Sequence, residues 1–162
     1  MQKALFTSNR QTWETPIDLF NKLNEVFHFN IDLCAEDSTA KCELYYTPNI
    51  DGLNRHWCSM NYWMNPPYGR EQIQWIVKAS HDSMIFGSTI VCLIPARPDT
   101  KVWQDIIFPT ARAVCFLRGR LKFGNSKDAA PFPSALIVFG NNITNEQIRV
   151  LNSLGHLILY ER

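Results

Sequence analysis

No Cys-x-x-Cys pair occurs in this chain, and its five cysteines, at positions 34, 42, 58, 92 and 115, are odd in number and scattered. That pattern argues against a disulfide framework or a structural zinc site, and for a reducing compartment, the cytoplasm. His56 and Cys58 are the one close His/Cys pair and lack further partners at ligand spacing, so no metal is expected. His28, His56, His81 and His156 have no nucleophile at a telling distance, which leaves hydrolytic triads unsupported. Met1 to Phe6 lacks the apolar core of a signal peptide, and no run is long and apolar enough for a membrane span. Repeats, low-complexity tracts and Ser/Gly linkers are also missing. Residues 1–162 therefore read as a single compact domain, large enough to bury roughly two-thirds of its unfolded surface.

A net charge of +1 says little until it is divided along the chain. Residues 1–96 carry 7 Lys/Arg against 10 Asp/Glu, residues 97–127 carry 7 against 2, and the remainder 2 against 3. The basic character is thus local, in Arg97, Lys101, Arg112, Arg118, Arg120, Lys122 and Lys127. Such a cluster can track a phosphate backbone, or can be a solvated face.

Thr15 reads as an N-cap with Pro16 at the first helical position, followed by Ile17, Leu19, Phe20, Leu23, Val26 and Phe27 at helical spacing. Strands are expected at Phe29–Ala35, ending near Asp32, at Leu44–Thr47 and at Tyr62–Met64. Ile73, Ile76, Val77, Ser80 and Met84 mark a helix stopped by Gly87, and Thr89–Ile94 is an unbroken apolar strand. Further strands are expected at 113–118, Ala135–Phe139 and Leu157–Tyr160. Thr144 with Gln147 forms a capping box opening a helix that Gly155 ends, and Gly124–Ala130 is a polar loop. The alternation predicts an α/β fold, a mostly parallel sheet with helices on both faces and ligands at the carboxyl ends of its strands.

One turn carries chemistry. Asn65-Pro66-Pro67-Tyr68 follows the apolar run Tyr62-Trp63-Met64 and precedes Gly69. Its prolines hold φ at about −65° and remove two backbone donors, so the turn offers rigid acceptors. The Asn65 side-chain oxygen and the Pro66 carbonyl can grip both hydrogens of a planar amine, stabilising positive charge by preorganised dipoles rather than by a strong base. Tyr68 adds a face on which a ring can stack.

This tetrapeptide resembles the catalytic motif of amino-methyltransferases that use S-adenosyl-L-methionine. The wider pattern is similar to the phage and prophage DNA N-6-adenine-methyltransferases. The matching pieces run from Trp13-Glu14-Thr15-Pro16 through Ile31–Ala35, Asp51-Gly52-Leu53 with Trp57, the Asn-Pro-Pro-Tyr-Gly block and Leu93–Thr100 to Gly119-Arg120-Leu121-Lys122-Phe123. The resemblance implies a Rossmann-like fold without a separate target-recognition domain, acting in a bacterial host cytoplasm on an adenine flipped from duplex DNA or already unpaired. It departs from the wider fold in one place: the Gly-rich turn used under the methionine part of the cofactor is missing after Asp32.

The resemblance assigns Asn65, Pro66, Pro67 and Tyr68 to catalysis. Thr15, Asp32 and Asp51 fall to the cofactor, facing its carboxylate, its ammonium and its adenine amine. Each has a plainer alternative: Thr15 as a helix cap, Asp32 as a local turn or cap, Asp51 as half of an Asp-Gly turn. DNA contacts fall to Arg97, Lys101, Arg118, Arg120 and Lys122, with Phe123 either sandwiching the base opposite Tyr68 or filling a core. The tryptophans are assigned no role. The same turn also serves enzymes acting on protein glutamine or RNA guanine, and a silent nucleic-acid-binding module would share the fold.

Overall fold

The computed structural model describes residues 13–162, so the reading of Met1–Phe6 lies outside the described residues. In chain order the elements are α1 (Ile17–Phe27), β1 (Ile31–Asp32), β2 (Leu44–Tyr45), a 3-10 turn (Gly52–Asn54), β3 (Asn61–Met64), α2 (Gln72–Phe86) and β4 (Thr89–Pro95). A π-helical turn (Trp103–Ile107) then runs into the short α3 (Phe108–Thr110), followed by β5 (Ala113–Leu117), β6 (Ser134–Phe139), α4 (Asn145–Leu154) and β7 (Gly155–Leu159).

The seven strands form one sheet in the order β2-β1-β3-β4-β6-β5-β7. β2, β1, β3 and β4 are mutually parallel, whereas β6 pairs antiparallel with both β4 and β5, and β7 antiparallel with β5. Five strands therefore share a direction and two oppose it, a mixed α/β sheet whose parallel half carries the crossover helices. Since β5 runs with β3 and β4, the chain leaves all three at the same edge of the sheet. One core packs Leu23, Phe27, Trp63, Val91, Leu93 and Leu151 between the sheet and α1 with α4. The other packs Tyr62, Ile76, Cys92, Trp103, Ile107 and Ile137 between the opposite face and α2 with the π-helical turn. Helices cover both faces.

The capping box of α4 is formed in both directions, Gln147 N donating to Thr144 Oγ1 at 3.1 Å and Thr144 N to Gln147 Oε1 at 2.9 Å. Gly87, at φ 68°, ends α2 in the left-handed conformation that glycine tolerates. The first strand is shorter than expected, Ile31–Asp32 rather than Phe29–Ala35, because Asp32 turns the chain: its carboxylate accepts from Cys34 N.

Two helix faces differ from their sequence pattern. Pro16, not Thr15, is the N-cap of α1, and its carbonyl accepts from Phe20 N at 3.1 Å; Ile17 is exposed. In α2, Ile73, Val77 and Met84 face outward, while Ile76, Ala79, Ser80, Asp82 and Ser83 are buried. The small, polar face is the inner one because distant segments supply its partners. Asp82 accepts from Trp57 N at 3.2 Å and pairs with Lys78 at 2.8 Å, and Ser80 donates to Thr110 Oγ1 at 2.8 Å. The helical segment at 101–110, unassigned from sequence, covers the sheet through Trp103, whose ring stacks on Phe116.

Candidate active site

β1 and β3 end side by side, delivering Asp32 and Asn65 to the same edge. There a cavity of about 500 Å3 opens, lined by Thr15, Asp32, Asp51, Asn65 and Pro67 among others. All three expected cofactor residues and part of the catalytic turn thus share one space. Pro66 and Tyr68 are buried beside it and do not line it.

Asn65 is held by its amide nitrogen, which donates to the Trp13 carbonyl and, at 3.0 Å, to Thr15 Oγ1. The Trp13 carbonyl can only accept, so this contact fixes which end of the amide is nitrogen. Oδ1 is left buried, with no hydrogen-bond partner among the described residues. Thr15 is therefore not a helix cap: its hydroxyl orients the Asn65 side chain.

Asp32 is 2% exposed, its Oδ1 accepting from Cys34 N at 3.2 Å and its Oδ2 from Lys41 N at 3.1 Å. Burial raises its pKa to about 6, against the lowering effect of those two amides and of the Lys41 charge. The carboxylate clamps the 34–41 loop, the local role foreseen as its alternative, while still facing the cavity. Asp51 likewise does both. It sits at φ 52° before the 3-10 turn, accepts from Asn54 Nδ2, and lines the cavity. Gly52 follows it in a tight seat, where a Cβ would lie 3.1 Å from the Trp75 and Tyr46 rings and 3.2 Å from the Leu33 carbonyl.

Sequence reasoning missed an ion pair in this cavity, Lys41 Nζ to Glu14 Oε1 at 3.0 Å, with the Lys41 side chain 9% exposed. The partners lie 27 residues apart, and no local spacing signals their meeting.

The aromatic arrangement also differs from expectation. Tyr68 is 7% exposed, and its hydroxyl donates to the Leu93 carbonyl at a long 3.5 Å. Burial pushes its phenol well above the ordinary range. Phe123 is buried and meets Tyr68 edge-on, at 87°, so it is not a parallel partner across a base. The near-parallel ring is Trp13, at 23° and 6.4 Å between centroids.

Arg97 follows β4, while Arg118, Arg120 and Lys122 follow β5, all at the edge that bears Asn65. They and Lys101 are exposed, and none has an ion-pair partner among the described residues. Arg112 of the basic cluster precedes β5 at the opposite edge and donates to the Tyr160 carbonyl. It belongs to the fold. Among the described residues no group of three or more His, Cys, Asp or Glu could hold a metal, and no helix is long and apolar enough to cross a membrane.

A model of the family described as DNA N-6-adenine-methyltransferase (Dam) matches residues 2–153. The chain belongs to this family. A DNA N-6-adenine-methyltransferase of Haemophilus phage HP1 (strain HP1c1) is 28% identical over 156 residues, covering 95% of this chain and 80% of that protein. A protein of the same description from Escherichia phage T1 is 30% identical over 98 residues, 59% of this chain and 40% of its own length. The family match spans the Asn-Pro-Pro-Tyr turn, the cavity and the exposed basic residues after β4 and β5.

Proposed function

We propose that the chain, acting as one domain in the host cytoplasm, methylates the N6 amino group of adenine in DNA with S-adenosyl-L-methionine as donor. The observation that carries this reading is the Asn65 side chain: its nitrogen is tied down twice, and its oxygen is buried with no hydrogen-bond partner among the described residues. Leaving such an acceptor unsatisfied costs about 1–3 kcal/mol, a defect that a donor from a ligand removes. An adenine amine, flipped from the duplex or unpaired, supplies that donor, and the Pro66 carbonyl takes its second hydrogen.

The cavity fits the cofactor in size and chemistry. Lys41 offers a cation to a carboxylate, Glu14 and Asp32 offer anions to an ammonium, and Tyr46, Trp75 and Asp51 suit an adenine ring with its amine. The Glu14–Lys41 pair thereby stands in for the missing Gly-rich turn. When bound, S-adenosyl-L-methionine supplies an electrophilic methyl group on a sulfonium sulfur.

What the chain contributes is alignment and dipoles. Asn65 and Pro66 favour the tetrahedral, positively charged amine over the planar one. Alignment of acceptor and donor can supply roughly 7–11 kcal/mol in favourable cases. Arg97, Lys101, Arg118, Arg120 and Lys122 hold phosphates along the same edge, and Pro67 stiffens the turn.

Incubation with methyl-tritiated cofactor and duplex DNA, single-stranded DNA, RNA or a glutamine peptide tests the assignment. Label is expected in DNA, recovered as N6-methyladenine. Label only in RNA or peptide would overturn it.

A further inference from the structure

We infer that the Trp13 indole holds the place of the target adenine in the free protein and leaves when the base enters, an inference that rests on the adenine-methylating function proposed above. Tyr68 is the ring of the catalytic turn on which a base would stack, yet it is 7% exposed. Its near-parallel neighbour is Trp13, at 6.4 Å and 23°. Phe123 and Phe132 close the cage by crossing the plane of the same indole, at 5.4 Å and 65° and at 5.2 Å and 88°. Both are themselves buried. A packed interior keeps no void of base size in reserve, so an adenine reaches Tyr68 only if a ring gives way.

Trp13 is the ring suited to do so. Phe123 and Phe132 are almost fully enclosed, whereas Trp13 is half-buried and sits ahead of the first helix. Indole and purine are both flat fused bicycles of the same ring sizes, so the space that one vacates fits the other. Hydrogen bonding also anchors the segment beside the catalytic turn, because the Asn65 amide nitrogen donates to the Trp13 carbonyl while Oδ1 stays open for the base. The next residue ties this strap to both sites: Glu14 pairs with Lys41 at 3.0 Å in the cavity, and its carbonyl accepts from Gly124 N at 2.9 Å, one residue past Phe123. Trp13 thus keeps an apolar, electron-rich cage dry until a base replaces it.

Fluorine NMR of the full chain labelled with 5-fluorotryptophan tests this, with Trp13→Phe assigning the Trp13 resonance among the five tryptophans. On adding adenine-containing DNA with S-adenosylhomocysteine, the Trp13 signal should shift and gain a solvent isotope effect, while Trp63 and Trp103 stay fixed. In steady-state kinetics Trp13→Ala should lower KM for DNA about fivefold, since the base no longer competes with the indole. If Trp13→Ala does not fold, Trp13→Leu carries the kinetic arm. An unmoved Trp13 signal on DNA that the wild-type chain methylates would overturn the inference alone. So would a raised KM, which would make Trp13 a wall of the base site. Absence of any DNA methylation by the wild type would instead sink the function on which it rests.

Discussion

Thr15→Val removes one hydroxyl and keeps the shape of the side chain. Thr15 is 4% exposed, and its Oγ1 is one of two acceptors holding the Asn65 amide nitrogen. The substitution leaves the bond to the Trp13 carbonyl and deletes the other, a net loss of about 1 kcal/mol. If that bond serves to aim Asn65 Oδ1, the loss falls on the transition state, and kcat should drop about five- to tenfold. Thermal stability should fall by about 2–4 °C, the usual equivalent of 1 kcal/mol in a chain of this size. Thr15→Ser, which restores the hydroxyl, should recover most of the rate. Steady-state methylation with saturating DNA and cofactor, alongside calorimetric melting of the three proteins, gives both quantities. A Thr15→Val enzyme with unchanged kcat and the same loss of stability would refute the positioning role.

The pKa of Asp32 gives a second test. The native chain holds its proton up to about pH 6, the reference carboxyl only to 3.8, so this group stabilises the fold fully below about pH 4 and its contribution is lost as pH rises through 6. The whole swing is about 3 kcal/mol, and Asp32→Asn should remove it from denaturation curves taken across that window. Ionised Asp32 is the form that attracts a methionyl ammonium, so cofactor affinity should strengthen over the same interval. Flat binding between about pH 5 and about pH 7.5 would place the ammonium elsewhere. Gly52→Ala drives a methyl against Tyr46, Trp75 and the immovable Leu33 carbonyl. It should cost about 1–3 kcal/mol of stability and weaken cofactor binding, as titration calorimetry would show; undiminished affinity would remove these rings from the cofactor site.

What the sequence revealed and what it hid have physical causes. Strands β3 and β4 are buried on both faces and so appear as continuous apolar runs, which placed Asn65 at a strand end. The α4 capping box is local by construction and was fully legible. Helix α2 was legible as a helix but not in its orientation, since Asp82 and Ser80 are buried by virtue of Trp57 and Thr110. Periodicity carries no information about such distant partners. Thr15 has the residue type and spacing of a cap, yet an Asn 50 residues away takes its oxygen. Glu14 with Lys41, and Trp13 over Tyr68, are likewise products of topology. The antiparallel return of β6 and β7 was also hidden, because a buried apolar strand reads alike in either direction.

The central claim, that Asn65 Oδ1 grips the amine which receives the methyl group, is tested most directly by Asn65→Ala. Single-turnover methylation of DNA should fall by about 10²–10³-fold or more, the scale seen when a preorganised dipole is lost. Cofactor affinity by calorimetry should stay within a few-fold of wild type, since Asn65 only borders that cavity. A variant that binds cofactor normally and still methylates adenine at near wild-type rate would contradict the account.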